Sequence, residues 1–172
     1  MPAKRLFIAI NFSDNEKDII ANCIESIKGF GVRGNFTRVN NLHLTLVFIG
    51  ETERENDIIE AMDAISARPF ELSFDALGKF AHSRGDIYWL GVKKCPELFA
   101  LQASLSKALS DKGFRLEDRP YKPHITLARE VIAKNPRFVP PKLTVKVNSF
   151  ELMESARKDG ILEYIPVYSK KL

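Results

Sequence analysis

At 172 residues, with 45% hydrophobic and 28% charged residues, the chain has the make-up of one globular domain, or of two small lobes sharing a core, and nothing in it suggests disorder. Lys and Arg outnumber Asp and Glu by 26 to 22, and the net charge of +4 is compatible with a polyanionic partner without demanding one. The apolar run at residues 6–10 is too short for a signal core or a membrane span, and Cys23 and Cys95 lack the spacing of a disulfide framework, so a reduced, cytoplasmic protein is expected.

In chain order, residues 6–10 read as a buried strand. Ser13 and Glu16 then make a capping box that opens a helix with Ile19, Ile20, Cys23, Ile24 and Ile27 on its apolar face, closed by Gly29 to Gly31. Residues 43–49 are dense in β-branched and apolar side chains and predict a strand ending at Gly50. A second helix is expected over 52–67, with Ile58, Ile59, Met62 and Ile65 as its stripe. Residues 70–80 and 87–93 predict antiparallel strands joined by a turn that carries His82, Ser83, Arg84 and Gly85. Pro96 starts a third helix over 96–112, which buries Leu98, Leu101, Leu105 and Leu109 and stops before Gly113. Strands follow at 124–129, 143–152 and 162–168, the last two joined through Lys158, Asp159 and Gly160. The order gives an α+β class with helices covering sheets.

One pattern repeats. His43 and Thr45 stand in NLHLTL, His124 and Thr126 in PHITL, each at the head of a predicted strand. Alternation puts each His and its Thr on one face and the aliphatic neighbours on the other. With three histidines and five threonines in the chain, chance would supply two such pairs in roughly a few cases per thousand. Metal-free phosphodiester hydrolysis needs a base for the attacking water and an acid for the departing oxygen, and histidine serves either role near neutral pH. In-line attack asks for imidazoles on opposite sides of phosphorus. Arg129, Arg5 and Lys122 are the basic side chains available to balance charge on the phosphoryl oxygens. By strict alternation Arg129 faces away from His124, so its role requires a bulge or a strand end. His82 is expected as an exposed turn residue, and Phe7 and Trp89 as core rather than base-stacking rings. No zinc-type ligand pairing and no glycine-rich phosphate loop is present, so neither a metal nor ATP is called for.

These residues resemble the 2H phosphoesterase superfamily, and within it the bacterial and archaeal RNA 2′,3′-cyclic phosphodiesterases historically called 2′-5′ RNA ligases. The resemblance rests on RLFIAI at 5–10, NLHLTLVFIG at 41–50, IYWLGV at 87–92 and YKPHITLAR at 121–129, and reaches to Glu154, Ser155 and Gly160. Ala156 and Arg157 depart from the serine-x-leucine pattern common there. The resemblance implies a single bilobal domain over 1–172 with pseudo-twofold symmetry, antiparallel sheets lining a central cleft and helices outside. It implies His43 as general acid toward the 3′ oxygen, His124 as base toward water, Thr45 and Thr126 holding phosphoryl oxygens, and Arg129 as a substrate contact. No cofactor or metal is implied, and the expected partner of a monomeric protein is an RNA end with a 2′,3′-cyclic phosphate, tRNA fragments among the possibilities. Weak reverse 2′-5′ ligation follows from the same chemistry. Two other readings stand beside it: a phosphodiesterase for a small cyclic nucleotide or an ADP-ribose cyclic phosphate, and a non-catalytic RNA-end binding module.

Overall fold

The computed structural model describes residues 2–132 and 135–172. Its elements are β1 (Lys4–Asn11), α1 (Asp14–Gly29), β2 (Arg33–Phe36), a 3₁₀ turn (Val39–Asn41), β3 (His43–Thr52), α2 (Glu55–Asp63), β4 (Phe70–Phe80), β5 (Asp86–Val92), α3 (Pro96–Asp111), β6 (His124–Ile132), β7 (Thr144–Val147), β8 (Ser149–Lys158) and β9 (Ile161–Lys171). They make an α+β fold with two antiparallel sheets, ordered β3-β1-β8-β9 and β2-β6-β5-β4-β7. The halves repeat one motif: β1, α1 and β3 in the first sheet correspond to β5, α3 and β6 in the second, strand and helix followed by the neighbouring antiparallel strand.

Side-chain alternation decides what each sheet buries. Leu6, Ile8 and Ile10 of β1, Leu44 and Leu46 of β3, and Ile125 and Leu127 of β6 are buried against Ile20, Ile24 and Ile27 of α1 and Leu98, Leu101, Leu105 and Leu109 of α3. One continuous apolar core therefore runs under both sheets. On the other face of the first sheet, Phe7, Ala9 and Met153 form a separate small cluster with Tyr164. That face looks into the cleft.

α1 begins as its capping box predicts: Glu16 N donates to Ser13 Oγ at 3.3 Å and Ser13 N to the Glu16 carboxylate at 2.8 Å. Ile19, expected on the buried stripe, is exposed instead. α2 is shorter than the predicted 52–67 at both ends. Thr52 is still paired with Lys4 in the sheet, and its hydroxyl accepts from Arg54 N at 3.0 Å in the turn that follows. At the other end Pro69 disfavours helical geometry in the residue before it.

The strand expected over 143–152 is two strands in different sheets. β7 pairs with β4, whereas β8 pairs with β1 and β9. The apolar alternation slips by one residue at the switch, from Val145 and Val147 to Phe150 and Leu152, all of them buried, so a phase change at Asn148 and Ser149 marks where one strand gives way to the other. β2 lacks any apolar pattern and exists by pairing with β6, where a Cβ at Gly34 would come within 2.9 Å of the Arg129 carbonyl oxygen.

Candidate active site

His43 opens β3 and His124 opens β6, and these strands approach each other across the two sheets. In both, alternation leaves His and Thr half-buried on the cleft face while the following Leu44 and Ile125 are fully buried. Each imidazole is fixed in the same way. His43 Nδ1 lies 2.7 Å from the Asn41 carbonyl oxygen, and His124 Nδ1 lies 2.7 Å from the Lys122 carbonyl oxygen. A carbonyl only accepts, so Nδ1 carries the proton and a neutral ring keeps its Nε2 lone pair for the cleft. His43 Nε2 stands 3.0 Å from Thr45 Oγ1.

Aromatic rings brace both imidazoles. Phe7 and Tyr164 pack on His43 with centroids at 5.0 and 4.9 Å, and Phe80 and Trp89 pack on His124 at 5.1 and 6.0 Å. Phe7 is a structural ring as expected, only 3% exposed. Asn41, a buried polar residue, donates through Nδ2 to the Leu162 carbonyl at 2.9 Å and accepts at Oδ1 from Tyr164 N at 3.3 Å. The carbonyl that orients His43 is thereby tied to β9. Neither Asn41 nor Tyr164 was picked out from sequence, since the strand that completes their environment lies over 120 residues away.

The cleft is electropositive around its two histidines. Burial drives His43 down to about 4; the Asn41 carbonyl opposes this, and the charges of His124, Arg129 and Lys17 add to it. His124 is lowered for the same leading reason, with the Lys122 carbonyl opposing and Arg129, Arg119 and Lys122 adding. Such depressed histidines in a cleft mark a site prepared for negative charge.

Arg129 reaches the cleft because β6 is bulged. Pairing with β5 runs Trp89 to Thr126 and then Tyr88 to Ala128, so Leu127 is the extra residue. Leu127 and Ala128 are consequently both buried, and Arg129 turns to the side of His124 and Thr126. This supplies the irregularity that strict alternation required. β3 has the matching bulge at Leu46, between the Thr45–Ala9 and Val47–Ile8 pairs. The counterpart of Arg129 in the first lobe is therefore Phe48.

His43, Thr45, His124, Thr126, Arg129 and Arg5 all line one cleft of about 1270 Å³, together with Lys122 and, at its edge, His82. His82 sits in the β4–β5 turn, where its Nδ1 accepts from Arg84 N at 3.4 Å. Arg5 is exposed, its guanidinium 4.9 Å from the Phe48 ring centroid. Among the described residues, no three His, Cys, Asp or Glu side chains gather in a metal-ligating group, and no helix is long and apolar enough to cross a membrane.

Comparison with known proteins agrees with this geometry. The model of the 2′-5′ RNA ligase superfamily matches residues 17–159. An Archaeoglobus fulgidus protein named RNA 2′,3′-cyclic phosphodiesterase is 32% identical over 154 residues, covering 87% of this chain and 85% of its own length. The Escherichia coli K12 protein of the same name is 32% identical over 142 residues, covering 78% and 77%. The structure of Escherichia coli LigT in apo form superposes with a TM-score of 0.87 at 27% identity, over 99% of this chain and 98% of that one. LigT complexed with 3′-AMP gives 0.85 at 28% identity, over the same shares. With its paired His-x-Thr strands facing one cleft, the chain belongs to the 2′-5′ RNA ligase superfamily, among the 2H phosphoesterases.

Proposed function

We propose that the chain hydrolyses RNA 2′,3′-cyclic phosphates to 2′-phosphates without a metal, and that residues 1–172 act as one bilobal unit around the shared core. The observation that carries this is the matched anchoring of two imidazoles at Nδ1 across one cleft, which leaves both Nε2 atoms for proton transfer. Water attacks phosphorus in line with the P–O3′ bond, and His124 Nε2 takes its proton. His43 Nε2 gives a proton to O3′ as that bond breaks, and the phosphate remains on O2′. The Thr45 and Thr126 hydroxyls donate to the non-bridging oxygens, and the Arg129 guanidinium balances their charge. Arg5, further out, meets the polyanionic chain.

His43 is neutral at pH 7 in the free protein. The acid role therefore needs the substrate's own negative charge, which favours the imidazolium and supplies the missing driving force. With a 5′-hydroxyl in place of water, the reverse path joins two ends through a 2′-5′ link. Water's abundance keeps that path minor. The curated relatives named for RNA 2′,3′-cyclic phosphodiesterase activity support this reading over a small cyclic nucleotide or a binding-only module.

The deeper depression of His43 favours a second assignment, in which His43 is the base and His124 the acid. The test uses an oligoribonucleotide ending in a 2′,3′-cyclic phosphate, in EDTA, with wild type, His43→Ala and His124→Ala. Conversion to a 2′-phosphate that both variants lose supports the two-histidine mechanism; activity that survives either variant overturns it. A substrate with sulfur at the 3′ bridging position needs no acid, so it restores only the variant that lacks the acid.

A further inference from the structure

The two bulges make the site nearly symmetric, and Phe48 breaks that symmetry. Where the second lobe turns Arg129 toward the phosphate, the first lobe turns out an aromatic ring that is 37% exposed. Lining the cleft, this ring offers an apolar face of the kind that ligand pockets use. The Arg5 guanidinium, itself exposed, stands 4.9 Å from the ring centroid and lines the same cleft. Single-stranded RNA bases stack on both aromatic rings and guanidinium planes.

The distance decides which base. Across the bulge, His43 and Phe48 stand opposite Asn11 and Phe7, four residues apart on β1, about 13 Å at the usual rise. That is further than a nucleotide reaches from its own 2′,3′-phosphate to its own base. Arg129, equally far from His124 along its strand, still acts on both histidines because its side chain is long; the Phe48 ring cannot swing back in that way. The cleft volume of about 1270 Å³ also exceeds the ~300–1,000 Å³ of ordinary small-ligand pockets, leaving room beyond one nucleotide.

We infer that Arg5 and Phe48 form a stacking platform for the base immediately 5′ of the nucleotide bearing the cyclic phosphate. This rests on the phosphodiesterase reading above and adds to it that the substrate is a chain rather than a mononucleotide. Stacking does not read base edges, so the platform accepts all four bases, purines best.

The experiment compares KM for a nucleoside 2′,3′-cyclic phosphate, a dinucleotide ending in the same group, and that dinucleotide with its 5′ base removed. For wild type the intact dinucleotide should show a KM about tenfold below both others, the size expected of one base–aromatic stack. Phe48→Leu should collapse that ratio toward one, and Phe48→Trp should keep it. Equal KM values for the three substrates on wild type would overturn the platform while leaving the phosphodiesterase reading intact. So would a Phe48→Leu protein that retains the full ratio. Turnover of none of the three would instead remove the parent reading. The abasic comparison needs no variant, so the inference stays testable whatever the substitutions do to folding.

Discussion

The Tyr121 hydroxyl donates to the main-chain carbonyl of Thr45 at 2.9 Å, tying the loop that leads into His124 to the strand that carries His43. The reciprocal tie runs from the Thr37 hydroxyl to the Thr126 carbonyl at 2.8 Å. Each motif strand is thus held by a side chain from the segment preceding the other motif. Burial pushes the Tyr121 hydroxyl well above its ordinary range, so it remains a donor at any working pH. Tyr121→Phe should cost about 1 kcal/mol in a urea melt, the usual net worth of one such bond. Because it loosens the spacing of the imidazoles, kcat should fall several-fold with KM little changed. An unaltered kcat would show that the tie serves stability alone.

The pH profile of kcat/KM should carry the mark of the electropositive cleft. The active form holds one proton on the pair, so its population peaks between the pair's two macroscopic constants. Both histidines are lowered from 6.5, which moves the maximum to the acid side of 6.5. Arg129 contributes to both depressions. Arg129→Gln should therefore shift the bell toward alkaline pH as well as lower its height. Arg129→Lys keeps the charge and loses the planar fork, so the bell should stay in place at reduced height. A profile that Arg129→Gln leaves unmoved would contradict the electrostatic coupling.

Burial of His43 has a cost that appears in stability. Its folded-state value of about 4 lies below the unfolded 6.5, so as pH falls through that window the unfolded chain takes up a proton that the folded one refuses. The contribution is complete above 6.5 and lost by about pH 4, and it amounts to about 3 kcal/mol at most. His43→Asn should flatten the acid limb of a stability–pH curve relative to wild type. Inorganic phosphate, which favours the imidazolium, should protect wild type more at pH 5 than at pH 8.

The chemistry of this chain was legible wherever it depends on side chains close in sequence. The spacing of His43 to Thr45 and His124 to Thr126 needs only strand alternation, and the Ser13 and Glu16 box opens α1 as its residues require. What escaped reading depends on pairing partners. The charge of Arg129 marked it as a candidate on the condition of a bulge, but only strand pairing reveals the extra residue in β6 that turns it to the cleft and the matching one in β3 that turns out Phe48. The switch of sheet leaves only a one-residue slip in the apolar alternation between Val147 and Phe150, which does not say with which strand each half pairs. Asn41 becomes a bracing residue only through β9, which is contributed by the far end of the chain.

Gly78 and Trp89 are cross-strand partners in β4 and β5, and a Cβ on Gly78 would overlap the indole ring. The indole therefore lies over the glycine. From there it packs at 6.0 Å against His124, with the Lys122 ammonium 4.8 Å from its ring centroid. Gly78→Ala should push the ring off this seat, costing about 1–3 kcal/mol as overpacking does. His124 loses its brace in the same step, so kcat/KM should fall more than the stability change alone would produce at assay temperature. Gly29→Ala is the matched control: nothing lies within 4 Å of its added Cβ at the end of α1, and it should be neutral or slightly stabilising with normal turnover. Trp89 is the single tryptophan of the chain, so its emission reports the displacement directly. An emission spectrum changed in Gly78→Ala and unchanged in Gly29→Ala, with activity lost only in the first, is the expected result. A Gly78→Ala protein with native emission and native kcat/KM would show that the indole has another seat and that His124 does not depend on it.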